Sequence, residues 1–353
     1  MKYQEGQTHS SGPAAVLDAF GQPLRIRQVT TPAPGYGEVA IDVRACGLCL
    51  TDVHIVEGRI PSVTLPLVPG HEFAGVVAQL GQGVTNVVVG DRVTVCVDVV
   101  CQRCDRCLRG ETNRCQALSR IGFERPGGMA TRVNVPAANV EQIADHVSFE
   151  KAAVIPDAVA AMYRSLVSVA QVRPGESVAI VGVGGLGIQG VKLASRMGAS
   201  VVAVDIDDRK LDRALTLGAQ GVVNPARVDL AQAAARHGTG FDVVIDIVGK
   251  RTSFAQSICA CRPGGRVVAM GYAEPTLDLP AYETVIREKT ILGSRSATRA
   301  EFKSVVELVN AGAFDPDIGL VLPIDQVNSA LEDLRAGRYL TRTVLTLPFN
   351  TSP

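Results

Sequence analysis

Four cysteines, Cys101, Cys104, Cys107 and Cys115, stand in the run CQRCDRCLRGETNRC, three of them at intervals of three and the last eight residues on. Thiolates at that spacing suit a closed tetrahedral Zn²⁺ site, because two-residue spacers let one tight loop aim successive sulfurs at a common point. Core cysteines do not gather in a charged Arg/Asp-rich loop. A structural metal lobe is therefore expected over about residues 96–116. Upstream, Cys49 in ACGLCLTDVH and His71 in PGHEFAGVVAQLGQGV could bring a thiolate and an imidazole to a second metal.

A different chemistry is written in VAIVGVGGLGIQG, where Gly182, Gly184 and Gly187 form G-x-G-x-x-G, with Gly185 and Leu186 inside the turn. At a strand-to-helix junction, the first glycine permits the tight turn, the second lets the backbone approach a pyrophosphate, and the third lets helix pack on strand. The helix N-terminus then faces the phosphates. Eighteen residues after Gly187, Asp205 ends the next strand, SVVAVD. A carboxylate there accepts hydrogen bonds from both hydroxyls of an adenosine ribose and repels a 2′-phosphate. Arg209 and Lys210 follow only after two further acids, Asp207 and Asp208, so NAD is expected rather than NADP.

Two domains are needed to position these sets, and 353 residues suffice for two cores. From about Gly12 to Ile155 short alternating runs such as VAIDVRACG and GDRVTVCVDVV predict an all-β first domain. From about Val159 the texture becomes strand, glycine turn, helix, with further strands at FDVVIDIVG, GGRVVAMG and TILGS, which predicts a doubly wound parallel sheet. The expected division is 1–158, 159–295 and a tail, 296–353, whose helical EFKSVVELVNAG and β run TRTVLTL return to the first domain. Thirty-five basic residues balance thirty-five acidic ones, so no general field draws nucleic acid or an anionic membrane. No apolar run approaches membrane-spanning length, and MKYQEGQTHSSGPAA lacks the features of a signal peptide. Nine cysteines, clustered by metal spacing, suit a reducing compartment, and a cytoplasmic protein is expected. Cys259 and Cys261 read as core; His9, His146 and His237 are assigned no function.

The stretch Gly70 to Gly81, G-H-E-x-x-G followed by five residues and a glycine, resembles the zinc-dependent medium-chain alcohol dehydrogenases. The cysteine lobe and then the glycine turn follow in that family's order, so the resemblance covers nearly the whole chain. It implies an N-terminal GroES-like β domain joined to a Rossmann domain. It further implies that Cys49 and His71 ligate a catalytic zinc, that Cys46 does not, and that Glu72 is a carboxylate able to ligate transiently. Asp157 stands where well-known members have cysteine, and is the implied third ligand, with a helix N-cap or a surface acid as the alternative. Asp52 would hold the His71 nitrogen that faces away from zinc. Thr51 would take the alcohol proton and pass it through the cofactor ribose to His54. Arg342 would reach the pyrophosphate, and Gly271 and Gly293 to Ser296 the nicotinamide amide. Phe123 reads either as an apolar wall of the alcohol pocket or as core.

What the resemblance implies is hydride transfer between an alcohol, secondary or medium-sized, and NAD in the cleft between the domains. A zinc with one open position would lower the alcohol's pKa. Two zinc ions per chain and a homodimer or homotetramer are implied as well. A polyol or sugar dehydrogenase of the same superfamily stays open as an alternative. So does a noncatalytic zinc- and dinucleotide-binding protein, which would need the metals but neither Thr51 nor His54.

Overall fold

The computed structural model describes residues 10–348. They divide into two compact units, one of residues up to Asp157 with those from Thr298 onward, the other Ala158–Ala297. His9 lies outside the described residues. The first unit opens with an antiparallel hairpin, β1 (Ser10–Val16) and β2 (Arg25–Thr31). Its central strand is β3 (Glu38–Leu48), where Val39, Ile41 and Val43, spaced by two, all enter the core. The chain then turns into α1 (Leu50–Val56), with extended Cys49 as N-cap. Asp52 Oδ2 accepts from the Cys49 N–H at 2.9 Å, which satisfies a donor at the helix entrance.

Strand β4 (Glu72–Leu80) lies antiparallel to β3 with Gly47 opposite Glu72, and β5 (Arg92–Val95) follows on its other side. A separate ribbon, β6 (Asp98–Val99) with β7 (Ser119–Arg120), frames the cysteine run and its short α2 (Asp105–Leu108). Strands β8 (Arg132–Pro136) and β9 (Val140–Gln142) pair with β3 and β5. Helix α3 (Phe149–Ala153) is capped by Ser148, whose Oγ accepts from the Lys151 N–H. The first domain is thus not all β as expected. Local side-chain caps from Asp52 and Ser148 start helices in stretches too short for the hydrophobic period to reveal them.

The second unit carries α4 (Ala160–Tyr163), β10 (Ser177–Val181), α5 (Gly187–Arg196), β11 (Ser200–Val204), α6 (Asp208–Thr216) and β12 (Gly221–Val223). It continues through α7 (Leu230–Ala234), β13 (Phe241–Asp246), α8 (Arg251–Ala260), β14 (Cys261–Ala269), α9 (Ala281–Val285) and β15 (Thr290–Gly293). Its six strands are parallel in the order β12-β11-β10-β13-β14-β15, a doubly wound sheet that reverses direction between β10 and β13. Four of five β10 residues are buried, as expected of a strand covered on both faces. Cys261 is buried at the start of β14, but Cys259, read as core, is exposed on α8. The two sit on opposite sides of a helix-to-strand change, so their spacing of two carries no common facing.

The chain returns to the first unit through α10 (Arg299–Asn310), β16 (Val321–Pro323), α11 (Val327–Arg335) and β17 (Thr343–Thr346). Strand β17 runs antiparallel to β3 with Thr343 opposite Leu48, which sets Arg342 beside the end of β3. Among the described residues no helix is long and apolar enough to cross a membrane.

Candidate active site

Three segments of the first unit bring four residues together at the end of β3. Cys49 caps α1, His71 stands just ahead of β4, Glu72 is that strand's first residue, and Asp157 lies in a π-helical turn, Ile155–Val159. Asp157 is therefore not a helix N-cap; an inserted residue in the helical ladder re-aims it. One potential ligand atom from each of the four lies within 4.8 Å of the others. Asp157 Oδ2 is 3.7 Å from Cys49 Sγ and 3.8 Å from His71 Nε2. A thiolate, an imidazole and carboxylates at this spacing are a zinc-type donor set. Gly47, opposite Glu72, leaves the room its carboxylate occupies: a Cβ there would press on Glu72 Cβ at 3.1 Å and Val154 at 3.2 Å.

Arg342 joins this cluster. Its Nη2 is 2.7 Å from Glu72 Oε1, an ionic contact outside hydrogen-bond alignment, and donates to Asp157 Oδ2 at 3.3 Å. Its Nη1 donates to the Leu48 carbonyl at 3.3 Å. The structure thus sets in the ligand cluster a guanidinium expected at the pyrophosphate. Chain position gave no signal of the Glu72 pairing, since β17 reaches β3 only in the folded sheet.

The electrostatics are those of a cation site. Burial opposes ionisation of Asp157, but hydrogen bonding and charge from His71, together with Arg342, hold its carboxyl well below the usual range. Burial also opposes a charged His71, yet Asp52, Asp157 and Cys49 raise its affinity for positive charge well above the ordinary imidazole. Glu72, wholly buried, is pushed well above a normal carboxyl by desolvation, with Arg342 acting against the shift. Cys46 is buried too, and desolvation raises its thiol pKa well above normal, which leaves it a poor ligand.

Around the cluster, Thr51 Oγ1 lies 3.4 Å from Cys49 Sγ. His54, one turn further along α1, is half-buried, and burial with nearby Arg59 lowers its pKa. Asp52 Oδ1 is 3.3 Å from His71 Nδ1, out of hydrogen-bond alignment. Phe123 is buried against the His71 ring, with centroids 5.1 Å apart. Sequence offered that residue only as a wall or core. His146 is exposed, and His237 packs its ring on Phe241 at 4.9 Å.

In the lobe, Gln102 adopts a left-handed φ of 58°, which turns the first spacer back on itself. One sulfur from each of Cys101, Cys104, Cys107 and Cys115 lies within 4.8 Å of the rest. Backbone N–H groups of Gln116 and Cys107 pull Cys104 down to about 6, the thiolate range a metal needs. The lobe is tied down where Thr112 Oγ1 accepts from the Arg299 N–H at 2.9 Å.

In the second unit, Gly182 turns with φ 91°, and a Cβ at Gly187 would press on the Gly182 carbonyl carbon at 3.0 Å. Nothing of the protein lies within 4 Å of a Cβ built at Gly184, so packing does not require glycine there, whereas a close pyrophosphate would. Leu186 caps α5, with Gly185 before it. Asp205 accepts from the Val183 and Asp207 N–H groups, both at 3.0 Å, which ties the end of β11 to the glycine turn. Gly271 packs where a Cβ would meet the Gly249 N–H at 2.5 Å, and Ser294 Oγ lies 2.8 Å from Ser165 Oγ.

Fold and sites define a zinc-binding dehydrogenase of two units, and comparison with known proteins agrees. Residues 35–145 match the alcohol dehydrogenase GroES-like domain and residues 185–311 the zinc-binding dehydrogenase domain. An alcohol dehydrogenase of Geobacillus stearothermophilus is 36% identical over 94% of this chain and 98% of its own. The crystal structure of an NAD-dependent alcohol dehydrogenase superposes with a TM-score of 0.90 at 32% identity, covering 95% of this chain and all of that one. A cobalt- and zinc-bound thermostable alcohol dehydrogenase from Pyrobaculum aerophilum gives 0.87 at 32% identity, covering 96% of this chain and all of that one. The chain belongs to the zinc-dependent alcohol dehydrogenases of the medium-chain dehydrogenase/reductase superfamily.

Proposed function

We propose that this NAD-dependent zinc alcohol dehydrogenase interconverts secondary or medium-sized alcohols with their ketones or aldehydes. The observation that carries the reading is the convergence of Cys49, His71 and Asp157 beside Thr51. When bound, zinc supplies Lewis acidity at the alcohol oxygen, and NAD supplies the acceptor for hydride. Cys49, His71 and Asp157 would hold the ion, with buried Glu72, its carboxyl raised by desolvation and faced by Arg342, as an alternative ligand. Asp52 backs His71. Thr51 Oγ1 takes the hydroxyl proton and relays it towards His54, one helical turn away on the same face of α1. The turn from Gly182 through Gly184, Gly185 and Leu186 to Gly187 takes the pyrophosphate, Asp205 the adenosine ribose, and Gly271 with Gly293 to Ser296 the nicotinamide amide.

A second zinc in the Cys101, Cys104, Cys107 and Cys115 lobe is structural, since four thiolates leave no open position. The protein works as a dimer or tetramer in the cytoplasm. Tyr282, Val285 and Ile286, each more than 60% exposed near the edge strand β15, support association with a second copy. The substrate test is kcat/KM across ethanol, 2-propanol, 2-butanol, cyclohexanol, sorbitol and glycerol. Each methylene buried in an apolar pocket contributes about 0.8 kcal/mol, or about fourfold, so longer secondary alcohols should gain over 2-propanol. A preference for ethanol or for the polyols overturns the assignment.

A further inference from the structure

His71 is held by more than its neighbouring carboxylate. Asp52 stands 3.3 Å from its Nδ1 but out of hydrogen-bond alignment, so that carboxylate does not by itself fix the ring's tilt. The face of the imidazole is met by Phe123, whose ring centroid is 5.1 Å away at an interplanar angle of 51°. On Phe123 in turn lies the Arg120 guanidinium, 4.0 Å from the ring centroid. Arg120 cannot swing away: it donates to Glu124 Oε1 at 2.6 Å and to Ser62 Oγ at 2.9 Å.

The loop carrying Phe123 is equally fixed against the backbone around His71. Gly127 N–H donates to the Val68 carbonyl, Gly128 N–H to that of Gly70, and Met129 N–H to that of Pro69, at 2.7 to 3.0 Å. A Cβ on Gly122 would press on the Gly70 carbonyl at 2.8 Å and on the backbone nitrogen of His71 at 2.9 Å. Such contact is possible only because that position is glycine, with a φ of 83°.

We propose that Phe123, clamped by Arg120, is a positioning residue that sets the tilt of His71 and so the geometry of the Cys49, His71 and Asp157 site. It is then not a wall of the alcohol pocket but a plate behind a ligand. This rests on the reading of His71 as a metal ligand. Aromatic faces suit the role because tilted pairing fixes orientation without competing for the nitrogen that must remain free.

The test uses Phe123→Leu, which keeps apolar bulk but removes the flat face, Phe123→Tyr, which restores it, and Arg120→Met. In the full-length protein with cobalt in place of zinc at the Cys49 site, the Leu variant should show an altered ligand-field spectrum. It should also lose that ion to a chelator at roughly tenfold lower chelator concentration, the size typical of lost support behind a ligand. The Tyr variant should restore both readouts, Arg120→Met should shift both in the same direction by less, and the cysteine lobe should keep its metal throughout. Unchanged spectrum and chelator competition in both Phe123→Leu and Arg120→Met overturn the proposal. His71→Ala separates the two readings: if it too leaves the spectrum and metal content unchanged, it is the ligand assignment that fails.

Discussion

Replacing Arg342 by methionine tests how much of this site is held by one buried charge. Glu72 is wholly buried, its neighbour Asp157 is partly so, and the guanidinium, 5% exposed, is 2.7 Å from the first and 3.3 Å from the second. Methionine keeps most of the aliphatic volume and removes the charge. Two unit charges with centres about 4 Å apart interact by about 4 kcal/mol at an effective dielectric constant of about 20. Removing one member of a buried pair independently costs about 3–5 kcal/mol, because the survivor is left uncompensated in low dielectric. With zinc bound, Asp157 retains a cation and the orphan is Glu72. Its carboxyl, already raised by desolvation, then takes up a proton rather than stay an isolated buried charge, which holds the cost to about 3 kcal/mol, the low end of that range. For a unit of roughly 150–250 residues each kcal/mol moves the midpoint about 2–4 °C, so the first unit's transition should fall by roughly 6–12 °C. Scanning calorimetry of the zinc-loaded protein reads this directly; with no tryptophan in the chain, far-UV circular dichroism is the optical companion. Adding Glu72→Gln removes the orphan, and the double variant should recover about 2 kcal/mol or more relative to additivity. A single variant that costs less than about 1 kcal/mol, the worth of an exposed pair, refutes the reasoning. So does strict additivity.

Asp157→Ala should abolish turnover and lower zinc content by about one ion per chain, while the cysteine lobe keeps its own; elemental analysis showing two zincs with full activity removes Asp157 from the site. Asp205→Ser withdraws a charged acceptor from the ribose, worth about 1.5–3 kcal/mol, and kcat/KM for NAD should fall about tenfold to a hundredfold while that for NADP rises; an unchanged ratio shows that other residues set cofactor choice. Cys104→Ser removes the thiol most inclined to ionise in the lobe, and should release that metal and lower the first unit's melting midpoint with the Cys49 site still loaded, as metal content and calorimetry would show.

The features legible in the sequence are those whose chemistry is local. The glycine turn, the cysteine run and the alternation of β3 each state their geometry within about a dozen residues, because turn sterics, ligand spacing and strand period act at that range. What escaped needs contacts between distant segments. Arg342 meets Glu72 only because β17 pairs with β3, and Phe123 meets His71 only because a loop leaving the lobe's ribbon docks on residues 68–70. The π-helical turn at Asp157 escapes for another reason: Pro156 marks an interruption of the helical ladder in IPDAVAAMY, but a proline equally suits a helix start or a kink, and nothing in the sequence chooses the widened turn. The exposed Cys259 shows the same limit, since facing changes wherever a helix hands over to a strand.

The return of β17 to β3 also sets an order of events while the chain is being made. The parallel sheet of the second unit is complete in one uninterrupted stretch, Ala158–Ala297. The counter-ion of Glu72 is encoded at residue 342, and the partner of the far end of β3 at Thr343. Domains usually mature on the ribosome from the N-terminus onward, but here the segment translated first must wait for one translated nearly last. A nascent chain whose first 300 or so residues have left the ribosome should therefore already carry a protease-resistant cofactor unit, with Glu72 and the candidate ligands around it still open to solvent. Quality-control factors would meet this enzyme with its nucleotide fold finished and its metal centre unassembled.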